Sequence, residues 1–234
     1  YNEINSVHGH DAFLIEYKQL QKIIEPIFNK DFNKNKMKVL KFGGKSLANG
    51  AGLKNAIDII VNKVEAGENI TVVASARGNS TDQLENILEK AANNDAYKEQ
   101  FEAFKEEQLE PFKKVDYSKE FLKLETLFEG VQLLEDYSQK IKDEVLAQGE
   151  LLAVKLIESL LKKQHICANA TDARKLIITD ENFGNANPIN QTSKEKVQSY
   201  FNEHQDTIQI VTGFIGANLK NQTTTLGRNS SNYT

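Results

Sequence analysis

The chain has 234 residues, 39% hydrophobic and 26% charged, with a formal net charge of -4 and a pI near 5.7. That is enough apolar material for the core of one large domain or two small ones. The acidic balance argues against a general binder of nucleic acid or of anionic membrane, because either needs a net basic surface.

The single cysteine, Cys167, excludes an internal disulfide framework and a thiolate metal cage, and suits a reducing compartment. Between Ile166 and Ala168 it reads as a small buried hydrophobe. No apolar run approaches the ~20 residues that span a bilayer, and the start lacks a basic-then-apolar signal, so a cytoplasmic location is expected. Both ends read as cut: the chain starts at Tyr1, its only methionine is Met37, and it stops at Thr234 after a glycine-rich turn.

Along the chain, Phe13, Tyr17, Leu20, Ile24 and Ile27 recur at spacings of three and four, the mark of an amphipathic helix that Pro26 ends or kinks. The polar, aperiodic "NKDFNKNK" (29–36) reads as a linker. From Met37 the pattern alternates. A strand over Lys38 to Phe42 precedes a helix with Leu53, Ile57, Ile60, Val61 and Val64 on one face and Gly67 in the C-cap position. A buried strand follows over Ile70 to Ala76, then a helix whose Ser80-x-x-Gln83 start has capping-box form. This order implies a parallel sheet covered by helices. Residues 96–164 read as a charged helical subdomain interrupted by Pro111 and Gly130, with a core stripe of Phe121, Leu124, Phe128, Val131 and Leu134. Strands return over His165 to Ala170 and Lys175 to Thr179, a Thr192-x-x-Glu195 box opens another helix, and Thr207 to Gly216 reads as one buried strand.

The stretch "KVLKFGGKSL" ends in Gly-Lys-Ser, as a P-loop does, but a P-loop needs a glycine five residues before the Gly of that triplet, and Val39 stands there. What remains is a strand running into Lys41 and the pair Gly43-Gly44. Adjacent glycines let backbone N–H groups approach phosphate oxygens, and a lysine at the strand end supplies compensating charge. The loop Gly227-Arg228-Asn229-Ser230-Ser231 has the same character, and Arg228 suits bidentate pairing with a carboxylate or phosphate. Ligands of open parallel sheets bind beyond the carboxyl ends of the strands, and Ser75-Ala76-Arg77-Gly78-Asn79-Ser80-Thr81 and Gly213-Phe214-Ile215-Gly216 also follow strands. Glu150, just after Gly149, has two readings: a helix N-terminal carboxylate favoured by the dipole, or a ligand for a substrate ammonium group.

Taken together, "KVLKFGGKSL", "VVASARGNSTD", "AQGELLA", "TDARKL", "FGNANP", "GFIGAN" and "TTTLGRNSSNYT" resemble, in order and spacing, the aspartate kinases, and most of all the kinase half of the fused aspartate kinase-homoserine dehydrogenases. The resemblance covers Met37 to Thr234. It implies a three-layer α/β/α amino-acid kinase (carbamate-kinase-like) fold, incomplete here, and phosphorylation of L-aspartate by MgATP to 4-phospho-L-aspartate, the step that opens threonine, methionine and lysine synthesis. By motif, Lys41 would be the catalytic cation, with Gly43, Gly44, Gly227, Ser231 and Asn232 at the phosphates. Ser75, Thr81, Glu150, Phe214 and Arg228 would line the aspartate site, with Glu150 on the α-ammonium and Arg228 on a carboxylate. ATP and Mg2+ are the implied cofactors, no protein metal site is expected, and the full-length protein would be a homo-oligomer.

The chain departs from the family pattern at Lys45, where threonine is usual, and at Asn229-Ser230-Ser231-Asn232, which lacks a glycine and a carboxylate. The family's nucleotide-binding half and regulatory domains are also absent, so poor turnover is expected from the fragment. Two other readings stand beside the kinase: a non-catalytic amino-acid-binding regulatory domain, and a kinase of another acidic amino acid. Residues 1–30 belong to a different pattern. "YNEINSVHGHDAFLIE" resembles the C-terminal end of the α/β-hydrolase-fold homoserine O-acetyltransferases, which would make His10 the triad histidine for a serine upstream of Tyr1. The alternative is a helical extension with ordinary loop histidines.

Overall fold

The computed structural model describes residues 37–227. The expected helix at 13–28, the linker, His10, Arg228, Ser230, Ser231 and Asn232 lie outside them. The elements described belong to the unit that begins at Lys38.

Strands β1 (Lys38–Phe42) and β2 (Ile70–Ala74) pair in parallel, with Lys41 opposite Val73 and Phe42 opposite Ala74. The crossover between them is a helical turn, α1 (Gly44–Leu47), and α2 (Gly50–Glu65). Helix α2 starts where the Asn49 side chain accepts the Gly52 N–H at 2.8 Å. It ends as expected at Gly67, whose φ of 71° closes the helix in the left-handed region. Then come α3 (Ser80–Ala92), α4 (Lys98–Leu109), α5 (Ser118–Leu134) and the long α6 (Gln139–Lys163). The remaining elements are β3 (Ala168–Thr171), β4 (Ile178–Thr179), α7 (Asn190–Glu203), β5 (Ile208–Thr212), β6 (Ile215–Asn218) and β7 (Thr223–Thr225).

Among the described residues the strands form a four-stranded parallel sheet in the order β1-β2-β5-β3 and a three-stranded sheet β4-β6-β7. In the second sheet β4 runs parallel to β6 and β7 antiparallel to it. Period-2 alternation in the central strands divides the core into two clusters. Ile70, Val72, Ala74 and Ile210 pack with α2, α3, α4, α5 and α6, where Phe104, Phe128, Leu152 and Leu156 are fully buried. Val73 and Val211 face the other way, onto Leu176, Ile177 and Ile215, with Val197, Tyr200 and Phe201 of α7 behind them. Each fully buried side chain of this size contributes roughly 1.5–3 kcal/mol.

Several expectations are corrected. Gly130 lies inside α5 and does not interrupt it, whereas Pro111 does fall in the break between α4 and α5. Leu134, placed in the core stripe, is exposed at the end of α5, while Leu124, Phe128 and Val131 are buried. Neither capping box forms. Ser80 is already helical and its hydroxyl accepts from Gln108 Nε2 at 3.0 Å, while Gln83 donates to Glu107 at 2.7 Å. Thr192 lies within α7, and Glu195 accepts from Gln191 instead. Cys167 is exposed, because β3 starts one residue later and its pleat turns Ala168 inward.

The expected single strand over 207–216 is two strands in two sheets. The chain leaves the first sheet at Thr212, turns through Gly213 and Phe214, and enters the second at Ile215. Gly216 sits inside β6, where a Cβ would come within 2.8 Å of Thr179 Cγ2, so it serves strand packing.

Candidate active site

Parallel register brings the carboxyl ends of three strands into one row: Phe42 opposite Ala74, and Ala74 opposite Thr212. Beyond the row the loops stay in step. Ser75 N–H donates to Phe42 O at 3.1 Å, and Gly213 N–H donates to Ala74 O at 2.8 Å. Lys41, Ser75 and Phe214 therefore share one edge, at the end of the sheet where such folds bind ligands.

Gly43 and Gly44 differ in what they do. A Cβ on Gly44 would lie 2.6 Å from Ala76 O and 3.0 Å from Gly78 O, and Gly78 N–H donates to Gly44 O at 2.9 Å. Gly44 is thus the contact on which the first loop rests against the second. Gly43 has nothing within 4 Å of its Cβ position and opens onto free space. Beneath both loops the buried Arg77 guanidinium donates to the carbonyls of Leu47 at 3.3 Å and Glu107 at 3.2 Å, which fixes the β2–α3 turn. Thr81 stands partly buried in the first turn of α3, and Lys45 is exposed on α1.

Glu150 is not at a helix start; it lies in the middle of α6, so the dipole account does not apply. Its neighbour Gly149 explains its place. A Cβ there would be 3.2 Å from Ala76 Cβ and 3.4 Å from Leu84 Cδ1, so glycine lets α6 run close to the β2–α3 turn without displacing either. The Glu150 side chain is consequently 2% exposed at the strand edge. Burial pushes its pKa up to about 8, against the opposing pull of the Ala76 and Gly213 amides and of the Lys41 ammonium. Burial also lowers the pKa of Lys41, with Glu150 pulling the other way. Glu150 Oε2 is buried with no hydrogen-bond partner. A sequestered carboxylate oxygen of this kind is rare in a folded protein unless a ligand, an ion or a water completes it.

Phe214 adopts φ of 63°, a left-handed conformation that costs a bulky residue on the order of 1 kcal/mol. Its carbonyl accepts from Leu226 N–H at 2.9 Å, which leads the stretch before Arg228 to the same edge. Gly227 has φ of 82°, and a Cβ there would meet Asn185 Oδ1 at 2.5 Å, so any other residue would be strained and would have to displace Asn185. Glu150, Lys41, Ser75, Phe214 and the glycine pair are thus brought together, with Gly227 connected through Leu226.

Sequence reasoning missed Asp143 and Arg174. Asp143 is fully buried and accepts from Gly184 N–H at 2.9 Å, Thr225 N–H at 3.0 Å and Thr225 Oγ1–H at 2.9 Å. Its spacing was the available signal: seven residues before Glu150 is two helical turns on the same face. Arg174 pairs with Asp172 at 2.7 Å and donates to Thr223 Oγ1 at 2.9 Å. A cavity of about 460 Å³ lies beside Arg174, lined also by Glu144, Lys196 and Asn221; none of the expected site residues lines it. None of the described helices is long and apolar enough to cross a membrane.

Comparison with known proteins places this edge in context. The chain is 28% identical over 212 residues to the bifunctional aspartokinase/homoserine dehydrogenase of Buchnera aphidicola, covering 84% of this chain and 26% of that protein. It is 28% identical to the lysine-sensitive aspartokinase 3 of Escherichia coli, covering 84% of this chain and 44% of that one. The crystal structure of E. coli aspartokinase III in complex with aspartate and ADP superposes with a TM-score of 0.69 at 27% identity, over 84% of this chain and 44% of that chain. The chain therefore spans between about a quarter and somewhat under half of the length of these relatives. The family described as "Amino acid kinase family" matches residues 36–234, the whole stretch from the linker's end onward. With its parallel sheet and its loops at the carboxyl edge, the chain belongs to the amino acid kinase family.

Proposed function

We propose that this chain is the amino-terminal, acceptor-binding part of an aspartate kinase, an enzyme that transfers the γ-phosphoryl group of MgATP to the side-chain carboxylate of L-aspartate. The observation that carries this reading is Glu150, a buried carboxylate with an unpartnered oxygen, facing the edge that bears Lys41 and the glycine pair. An α-ammonium group supplies what Oε2 lacks. The aspartate-bound E. coli relative supports the choice of ligand.

In this reading Lys41 neutralises charge on the phosphoryl group in flight, and the backbone N–H groups around Gly43 and Gly44 hold phosphate oxygens. The acceptor carboxylate is already ionised, so no general base is needed. Phe214, Ser75 and Thr81 line the acceptor site, and Arg228 pairs with a carboxylate of the substrate. Gly227, Ser231 and Asn232 belong to the phosphate side, and Mg2+ arrives as part of the nucleotide substrate. The full-length enzyme is read as a cytoplasmic homo-oligomer. Residues 1–30 are read as the end of an acyltransferase on the strength of Gly9-His10-Asp11-Ala12-Phe13-Leu14; a nucleophile-elbow serine in the reading frame upstream of Tyr1 is the expected finding, and its absence would remove that part.

A hydroxamate assay for aspartyl phosphate, on a form extended past Thr234, tests the main reading. ATP- and aspartate-dependent product that Lys41→Ala abolishes is the expected result. Aspartate binding without product would instead indicate an amino-acid-binding domain.

A further inference from the structure

We infer that Asp143 is a positioning residue for the acceptor site, acting through β7 on the Gly213–Phe214 turn; this deepens the proposed function and rests on it. All three threonines of β7 are buried, and each hydroxyl has a partner from a different element. Thr223 Oγ1 accepts from Arg174, Thr224 Oγ1 lies 2.7 Å from Thr179 Oγ1, and Thr225 Oγ1 donates to Asp143. Only the last of these ties the strand to α6. The same carboxylate takes the Thr225 and Gly184 amides, so one side chain gathers β7, the 180–188 loop and α6.

The residue after Thr225 is Leu226, whose N–H bonds the carbonyl of the strained Phe214. The amide of Gly213, one residue before Phe214, faces Glu150. Helix α6 therefore holds both sides of this turn from a single rigid face. Glu150 reaches it directly, and Asp143, two turns earlier, reaches it through Thr225 and Leu226. If the strap loosens, Phe214 loses the bond that opposes its strain, and the stretch leading to Arg228 loses its footing.

What the site asks of Asp143 is three accepted hydrogen bonds. An asparagine of the same shape can supply them: its oxygen takes both amides, and its NH2 donates to the Thr225 hydroxyl, which can accept as well as donate. Asp143→Asn should then rescue what Asp143→Ala destroys. In the 234-residue protein, D143A is expected to weaken aspartate binding at least tenfold by calorimetry, and D143N to stay within threefold. In amide hydrogen exchange D143A should lose at least tenfold in protection at Thr225, Gly184 and Leu226, and D143N should keep it. If D143A does not fold, Thr225→Val removes one of the three bonds and should give a smaller change in the same direction.

Unchanged Leu226 protection in D143A, or in T225V if D143A does not fold, overturns the inference. So does a D143N that binds aspartate as poorly as D143A while keeping its exchange pattern, since the charge would then act directly. If the unaltered protein binds no aspartate, the acceptor reading fails by itself, and the Leu226 exchange rate still decides whether Asp143 positions the turn.

Discussion

Helix α6 buries two carboxylates two turns apart on one face, Asp143 and Glu150, and holds them in opposite ways. Around Asp143 the three hydrogen bonds use both oxygens, and the price of desolvation is met by groups that also need partners. Around Glu150 one oxygen is left bare, and among the described residues the formal charge that pulls on it is Lys41. Burial raises the pKa of both. The difference teaches how to separate scaffold from site in this molecule: a buried acid whose bonds are complete holds elements together, and one whose bonds are incomplete is kept for something that arrives.

Removing the two carboxylates should therefore move stability in opposite directions. Asp143→Ala orphans two amides and a hydroxyl at about 1–3 kcal/mol each, so a loss of roughly 3–5 kcal/mol in urea unfolding is expected. Glu150→Gln should stabilise the empty protein at high pH. The sign follows from protonation. With a native pKa of about 8 against 4.5 unfolded, the native state holds a proton that the unfolded state releases between those values. Stability of the unaltered protein then falls as pH rises from about 4.5 to 8 and levels off above, by on the order of 3 kcal/mol at pH 7. E150Q should lack this slope while binding aspartate at least a hundredfold more weakly. A Glu150 variant less stable than the parent at pH 9 would break the comparison.

The same group sets a smaller effect on binding. An ammonium ligand needs the ionised carboxylate, so aspartate affinity should rise close to tenfold per pH unit below about 8 and flatten above it. Calorimetry in buffers of different ionisation enthalpy should show proton release on binding at pH 7. Affinity flat between pH 6 and 8 would mean that Glu150 is ionised before the ligand arrives.

The parts of this architecture that follow local periodicity were legible in the sequence. β1, β2 and α2 appear where the apolar spacing put them, and the pair Lys41 and Gly43-Gly44 does stand at a strand's carboxyl end. What escaped depends on tertiary partners. Nothing local in "TIQIVTGFIG" says that a second sheet will capture Ile215, and the break falls at a residue, Phe214, whose left-handed φ no propensity predicts. Ser80 and Gln83 have capping-box identities, but the buried Gln108 and the half-buried Glu107 compete for their side chains and win. One of the two sequence readings of Glu150 sets it at a helix start, just after Gly149. In the structure that glycine is a packing contact, and the helix continues through it at a propensity cost of about 1 kcal/mol.

The glycine pair offers the finest test of scaffold against site. At Gly44 an added methyl collides with backbone oxygens at 2.6 and 3.0 Å, atoms that cannot swing aside as a flexible side chain would. Gly44→Ala must push the first loop away from the β2–α3 turn, with an expected loss of about 1–3 kcal/mol and a fall in both aspartate and nucleotide binding. Gly43→Ala meets nothing within 4 Å and its backbone is extended, with φ of -78° and ψ of 164°, which alanine adopts without strain. Its melting temperature should stay within a degree or two of the parent. If Gly43 lies against the phosphates, the methyl then occupies space that only a ligand uses, so phosphoryl transfer should drop several-fold while aspartate binding holds. Equal activity in G43A and the parent would move the phosphates away from this loop, and equal stability of G44A and G43A would mean that the two loops do not rest on each other at Gly44.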